Sequence, residues 1–188
     1  SRSNRISERQ EAYIRQEDHK DILELQTLDV ADPERREVLI KDLIAGGKES
    51  LLRDYLLIRR EASKWQNHSY FENVEHAGGE YEAELWVKAN EKAMGIAKEL
   101  FGPRDPETLN LYNDLGRGCM RAGDKEAAET YLQEGLQMAL ESGEDNMLLA
   151  NFHSNLGSLI DFETEAEKAL PHYQLSLQFS LEGGDNGF

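Results

Sequence analysis

The chain has 188 residues, 39% hydrophobic and 31% charged, with a formal net charge of −16 at pH 7. That length suits one compact domain or a short repeat array, and the acidity excludes nucleic-acid binding through a basic face and attraction to anionic membranes. No apolar run approaches a membrane span, and the single cysteine, Cys119, excludes an intrachain disulfide and suits a reducing compartment. An intracellular location, cytoplasmic or nuclear, is therefore the expectation.

In chain order, Ser7 with Gln10 makes a capping box that predicts a helix to about Leu28, with Ile22, Leu23, Leu25 and Leu28 as its apolar end. Asp32-Pro33 starts a second helix, because aspartate accepts from free N–H groups and proline fits the first turn. Leu39, Ile40, Leu43 and Ile44 form its buried stripe, and Gly46-Gly47 ends it. A third helix is predicted over Glu49–Gln66, with Leu51, Leu52, Tyr55, Leu56, Ala62 and Trp65 at helical spacing. Ser69 with Glu72 reads as a new capping box, and Gly78-Gly79 as a break. From Glu80 a long helix carries Ala83, Trp86, Val87, Met94 and Ala97 and stops at Phe101-Gly102-Pro103.

Past Asp105-Pro106 a helical hairpin is written twice. The two copies align at a shift of 41 positions, since Leu115-Gly116 meets Leu156-Gly157 and 157 − 116 = 41. Asn110 then meets Asn151, Ala128 meets Ala169, and Leu140-Glu141 meets Leu181-Glu182. The first helix is predicted to end at Arg121 with Gly123 just beyond, and Asp124 to cap the second, which ends near Ser142-Gly143. A third covers about Asn146–Asp161, and Thr164 with Glu167 caps the last, which ends at Gly183-Gly184. No segment alternates with period two for long enough to be a strand, so the class is all-α.

The run Tyr112, Leu115-Gly116, Cys119, Gly123-Asp124, Ala128, Tyr131-Leu132, Gly135-Leu136 resembles a tetratricopeptide repeat. His153, Leu156-Gly157, Ile160, Ala169, Tyr173 and Ser176-Leu177 repeat it. The period exceeds the roughly 34 residues typical of that family. With Leu100-Phe101-Gly102-Pro103-Arg104-Asp105-Pro106 and Pro171 it looks like the long-helix variety of kinesin light chains. The resemblance implies a right-handed stack of antiparallel helical hairpins, a tetratricopeptide-like α-solenoid, preceded by capping helices. The expected division is 1–78 as the capping segment and 79–188 as repeats: a degenerate unit at 79–104 and clear units at 105–143 and 144–184. Further repeats are expected beyond Phe188, leaving a C-terminal face through which the chain self-associates.

In the family, the first helix of each repeat lines a concave groove. The resemblance places Asn110, Asn113, Arg117, Met120, Arg121, Asn151, Ser154, Asn155 and Ser158 there. Spacing supports a stripe of 110, 113, 117 and 120 beside the packing stripe of 112, 115 and 119. Asparagine amides hold an extended backbone by donating and accepting together, and arginine forks onto carboxylates. The expected function is therefore a scaffold that binds an extended peptide or helical segment of another protein, an acidic one suiting the arginines. The alternative is a sensor or regulatory arm of a larger multidomain signalling enzyme, with the groove used intramolecularly. No catalytic residue, metal or cofactor is expected. Cys119 falls on the packing stripe; His19, His68, His76, His153 and His172 are scattered without ligand spacing; and the glycine pairs follow helices rather than strands, so they read as caps and not phosphate loops.

Overall fold

The computed structural model describes residues 33–71, 79–143, 146–160 and 162–184. Among the described residues there are seven helices and no strand: α1 Pro33–Ala45, α2 Glu49–Phe71, α3 Gly79–Leu100, α4 Pro106–Arg121, α5 Lys125–Ser142, α6 Asn146–Leu159 and α7 Phe162–Gly184. The helix predicted from Ser7 to Leu28 lies outside them, as does Asp32. The chain divides into two compact units, Ser1–Arg60 and Glu61–Phe188.

In the first unit α1 carries buried Ile40 and Leu43, and α2 carries buried Leu52, Tyr55 and Leu56. The predicted helix end at Gln66 and new cap at Ser69 are corrected by the structure. Helix α2 runs through that position to Phe71, and the Ser69 hydroxyl donates to the Gln66 carbonyl at 2.7 Å instead of capping a new helix. A serine bonding back one turn reads the same in sequence as a cap.

The second unit holds the repeats. Asp105 caps α4 by accepting from the Glu107 N–H at 2.9 Å, with Pro106 in the first turn. Before it, Thr108 Oγ1 donates to the Gly102 carbonyl at 2.7 Å and fastens the turn out of α3. At the far end of α4 the Asp124 N–H bonds the Cys119 carbonyl and the Gly123 N–H bonds the Met120 carbonyl, with Gly123 at φ 80°. That is a Schellman termination, which needs the left-handed residue that only glycine supplies cheaply. Asp124 then caps α5 through the Ala127 N–H. One aspartate closes one helix and opens the next.

Consecutive helices from α3 to α7 pack against one another, and α4 also meets α6. Arg104, before α4, bonds Glu141 near the end of α5 at 2.8 Å, and Gly183 at the end of α7 approaches Met147 at the start of α6. Both hairpins are therefore antiparallel. The 41-residue register is exact at their closest contacts. A Cβ at Gly116 would lie 2.5 Å from Leu132 Cδ2, and one at Gly157 would lie 3.0 Å from the Tyr173 ring. Gly135 on α5 sits against two helices at once: a Cβ there would lie 2.5 Å from Phe152 Cε1 of α6 and 2.6 Å from Tyr112 Cβ of α4. Ala128 and Ala169 are fully buried at equivalent places. The last helix departs from its pattern at Glu165, whose φ of −128° and ψ of 35° break the helical path between a short first turn and the main run.

These contacts set the sign of two substitutions. Glycine to alanine in an open helix position gains about 0.8–1 kcal/mol of propensity. Gly95→Ala, where a Cβ meets nothing within 4 Å, should raise the urea midpoint accordingly. Gly135→Ala should lower it, because the new methyl overlaps Phe152 and Tyr112. Ala128→Leu and Ala169→Leu should each cost about 1–3 kcal/mol, while Glu134→Leu on the exposed side of α5 should change the midpoint little.

Candidate functional site

Helices α4 and α6 are the first helices of the two clear repeat units, and they touch. Their junction is polar. Asn155 Nδ2 of α6 donates to Asn113 Oδ1 of α4 at 2.6 Å, and Asn113 is 8% exposed. A buried amide demands such a partner, so the bond fixes the two helices laterally as it satisfies the polar group. Around it, Asn110, Met120 and Ser154 are half-buried, and Asn151 and Ser158 are exposed. Ser158 Oγ donates to the Ser154 carbonyl at 2.9 Å and accepts from Tyr173 Oη at 3.4 Å.

The two arginines engage different neighbours. The Arg117 guanidinium lies over the buried Trp86 ring of α3, its Cζ 5.7 Å from the centroid, with Nη1 3.9 Å from Asp114 Oδ1. Arg121 Nη2 donates to the backbone carbonyl of Ser69 in α2. Spacing alone predicts two guanidiniums projecting together from one helix face. The structure instead spreads them, because one finds an aromatic face and the other a carbonyl at the end of a neighbouring helix. Neither partner is visible in sequence, as Ser69 and Arg121 stand 52 residues apart.

Residues 87–141, from the middle of α3 to the end of α5, match the family model described as Tetratricopeptide repeat. Over that stretch the chain is similar to tetratricopeptide repeats. Such repeats generally mediate protein–protein interaction and are typically non-catalytic scaffolds. No curated protein and no solved structure matches the chain. Among the described residues, no helix is long and apolar enough to cross a membrane.

The titratable groups inside the repeats serve packing. Burial pushes the Cys119 thiol up to about 11, with Asp124 and Glu91 adding to the effect. The thiol stays protonated at neutral pH, the opposite of an activated nucleophile. Burial, with Glu91 beside it, likewise pushes the Tyr131 phenol up to about 12, and its hydroxyl donates to Glu91 Oε1 at 3.2 Å.

Two histidines read as scattered are brought together. His153 Nδ1 and His172 Nδ1 lie 3.1 Å apart, with ring centroids 5.4 Å apart. The repeat register explains the pairing: 41 residues earlier the same two places hold Tyr112 and Tyr131, which meet edge to face at 6.4 Å. The aromatic pair of the first hairpin is thus written as imidazoles in the second, and the 41-residue alignment pairs both positions. The centroid separation exceeds the Nδ1 separation by two ring radii, so each nitrogen faces the other along the line of centres. That geometry suits one shared proton, Nδ1–H donating to Nδ1, and aims neither lone pair at a common metal position. Among the described residues no group of three or more histidine, cysteine, aspartate or glutamate side chains is arranged to hold a metal.

Burial, and then the neighbouring His172, hold the His153 pKa below its ordinary 6.5. The folded chain takes up that proton less readily than the unfolded chain, so the contribution to stability is complete above 6.5 and is lost as pH falls through the lowered folded value. Urea midpoints should fall as pH drops below about 6.5, and His153→Phe should reduce that fall. A separate check is thiol labelling. A rise from 9.0 to about 11 leaves about a hundredfold less thiolate, so native Cys119 should react with iodoacetamide far more slowly than the urea-unfolded chain.

Proposed function

We propose that the chain is a protein-interaction module that holds an extended, acidic segment of a partner along the face built by α4 and α6. The observation that carries this reading is the Asn113–Asn155 bond. It joins the first helices of two successive repeats into one strip of amides and hydroxyls: Asn110, Asn151, Ser154, Asn155 and Ser158. Residues 146–160 contain no charged side chain, although 31% of the whole chain is charged. An acidic segment is repelled by most of a surface with net charge −16. Here it meets uncharged donors and acceptors, with Arg117 and Arg121 at one side. Met120, half-buried on the same helix, supplies an apolar contact.

The same strip suits an acidic segment from elsewhere in the protein itself, as in a regulatory arm, and the chemistry of recognition is then identical. Arg121 also has a structural share through Ser69, so the cleaner probes lie on α6. Asn151 and Ser158 are exposed and seven residues apart, on one side of the helix. Asn151→Glu with Ser158→Glu should shift stability by less than about 0.5 kcal/mol while adding two carboxylates to the strip. Peptides selected on the unmodified chain from a random display library should be enriched in Asp and Glu, and the double variant should bind them about tenfold more weakly or worse. Selection of neutral or basic peptides, or unchanged binding by the variant, would remove the strip from consideration.

A further inference from the structure

Helix α2 ends inside the second unit, and an arginine from another helix closes it. The last four carbonyls of a helix have no partner within that helix, and Ser69 of α2 carries one of them. Ser69 is fully buried, so water does not satisfy that carbonyl. Its hydroxyl donates elsewhere, to the Gln66 carbonyl one turn back. The acceptor is met by Arg121 Nη2, from the last residue of α4. In its last turn α2 has one basic residue of its own, His68. Arg121 adds a full positive charge at the negative end of the helix dipole.

The same guanidinium stands at the side of the α4–α6 strip, four residues beyond Arg117. The two arginines differ in what their release would do. Arg117 rests on the Trp86 ring and Asp114, so drawing it away opens no helix end. Arg121 closes one. The Ser69 carbonyl offers it a single neutral oxygen. A carboxylate offers two charged oxygens at the spacing of the guanidinium fork, and that paired bond is the stronger.

We propose that Arg121 is a two-position latch coupling the strip to α2. With the strip empty, it caps α2 through Ser69. When an acidic segment lies along the strip, a carboxylate of that segment takes the guanidinium and the Ser69 carbonyl loses this donor. A buried carbonyl without a donor is costly, and the last turn of α2 relieves the cost by opening to water. The latch rests on the strip reading given above and adds a conformational response to it. The coupling is reciprocal: a bound segment loosens the end of α2, and a loosened end favours the segment.

Amide hydrogen exchange of the full chain tests the first direction. The probe is a decapeptide of alternating Glu and Gly, with alternating Gln and Gly as its neutral control. At saturation the acidic peptide should speed exchange in the last turn of α2 about tenfold, and the neutral peptide should not. Arg121→Ala should show the fast exchange with no peptide present. Asn67 tests the reverse direction. It is exposed near the end of α2, and alanine and glycine there differ about fivefold in helix propensity. The Asn67→Gly chain should therefore bind the acidic peptide about fivefold more tightly than the Asn67→Ala chain. Equal affinities for these two variants, or unchanged exchange in α2 at saturation, would overturn the latch. The strip reading survives that result as long as Asn151→Glu with Ser158→Glu still weakens binding of the peptide. An acidic peptide that does not bind, or that binds this double variant equally well, removes the strip and the latch together.

Discussion

The repeat unit rests on how closely two helices can approach at a single glycine. Gly116 against Leu132 and Gly157 against Tyr173 are the same contact made twice: a methyl group at 116 would overlap Leu132, and one at 157 would press on the Tyr173 ring at 3.0 Å. Tight approach places the fully buried Leu115, Leu132 and Phe152 in contact distance of their neighbours. Gly135 extends the constraint from hairpin to stack, since it faces α4 and α6 together. One missing side chain therefore sets both the spacing inside a repeat and the spacing between repeats.

Much of this was legible because it is written locally or written twice. Asp105-Pro106, Gly123-Asp124 and Gly143 mark helix ends by backbone chemistry that acts within a few residues, and the structure places the ends there. The buried glycines and alanines were legible through the repeat. Ser69 was misread for the same reason that the others were read correctly: a hydroxyl near a helix serves equally as a cap or as a bond back to the preceding turn. What decides between them is whether the chain continues helical, which the local sequence does not record. The arginine partners were illegible for another reason. Trp86 and Ser69 lie 31 and 52 residues from Arg117 and Arg121, so each meeting depends on where the chain has folded and not on local sequence.

The polar residues of the repeats divide into those that hold helices together and those that remain at the surface. Asn113 and Asn155 are in the first group by virtue of burial and a short bond, and the histidine pair belongs there too. Where the first unit closes its hairpin with two tyrosines, the second uses two imidazoles whose Nδ1 atoms face each other at 3.1 Å, which keeps the ring packing and makes the joint polar. Asn151 is in the second group, and Ser158, exposed yet bonded to Tyr173 of α7, belongs to both. The same helix therefore supplies both a buried link to its neighbour and polar groups left at the surface.

The period of the repeat has a consequence for breadth. A typical unit of this family has about 34 residues, and the 41 found here add seven, which is close to two full turns of helix. Whole turns preserve which side of each helix faces inward, so the glycine contacts survive the lengthening. Shared between two antiparallel helices, the extra residues make the stack about one turn wider, roughly 5.4 Å. An extended chain crossing that width advances about 3.3 Å per residue. A segment held as proposed above would therefore gain room for between one and two further residues beside each repeat.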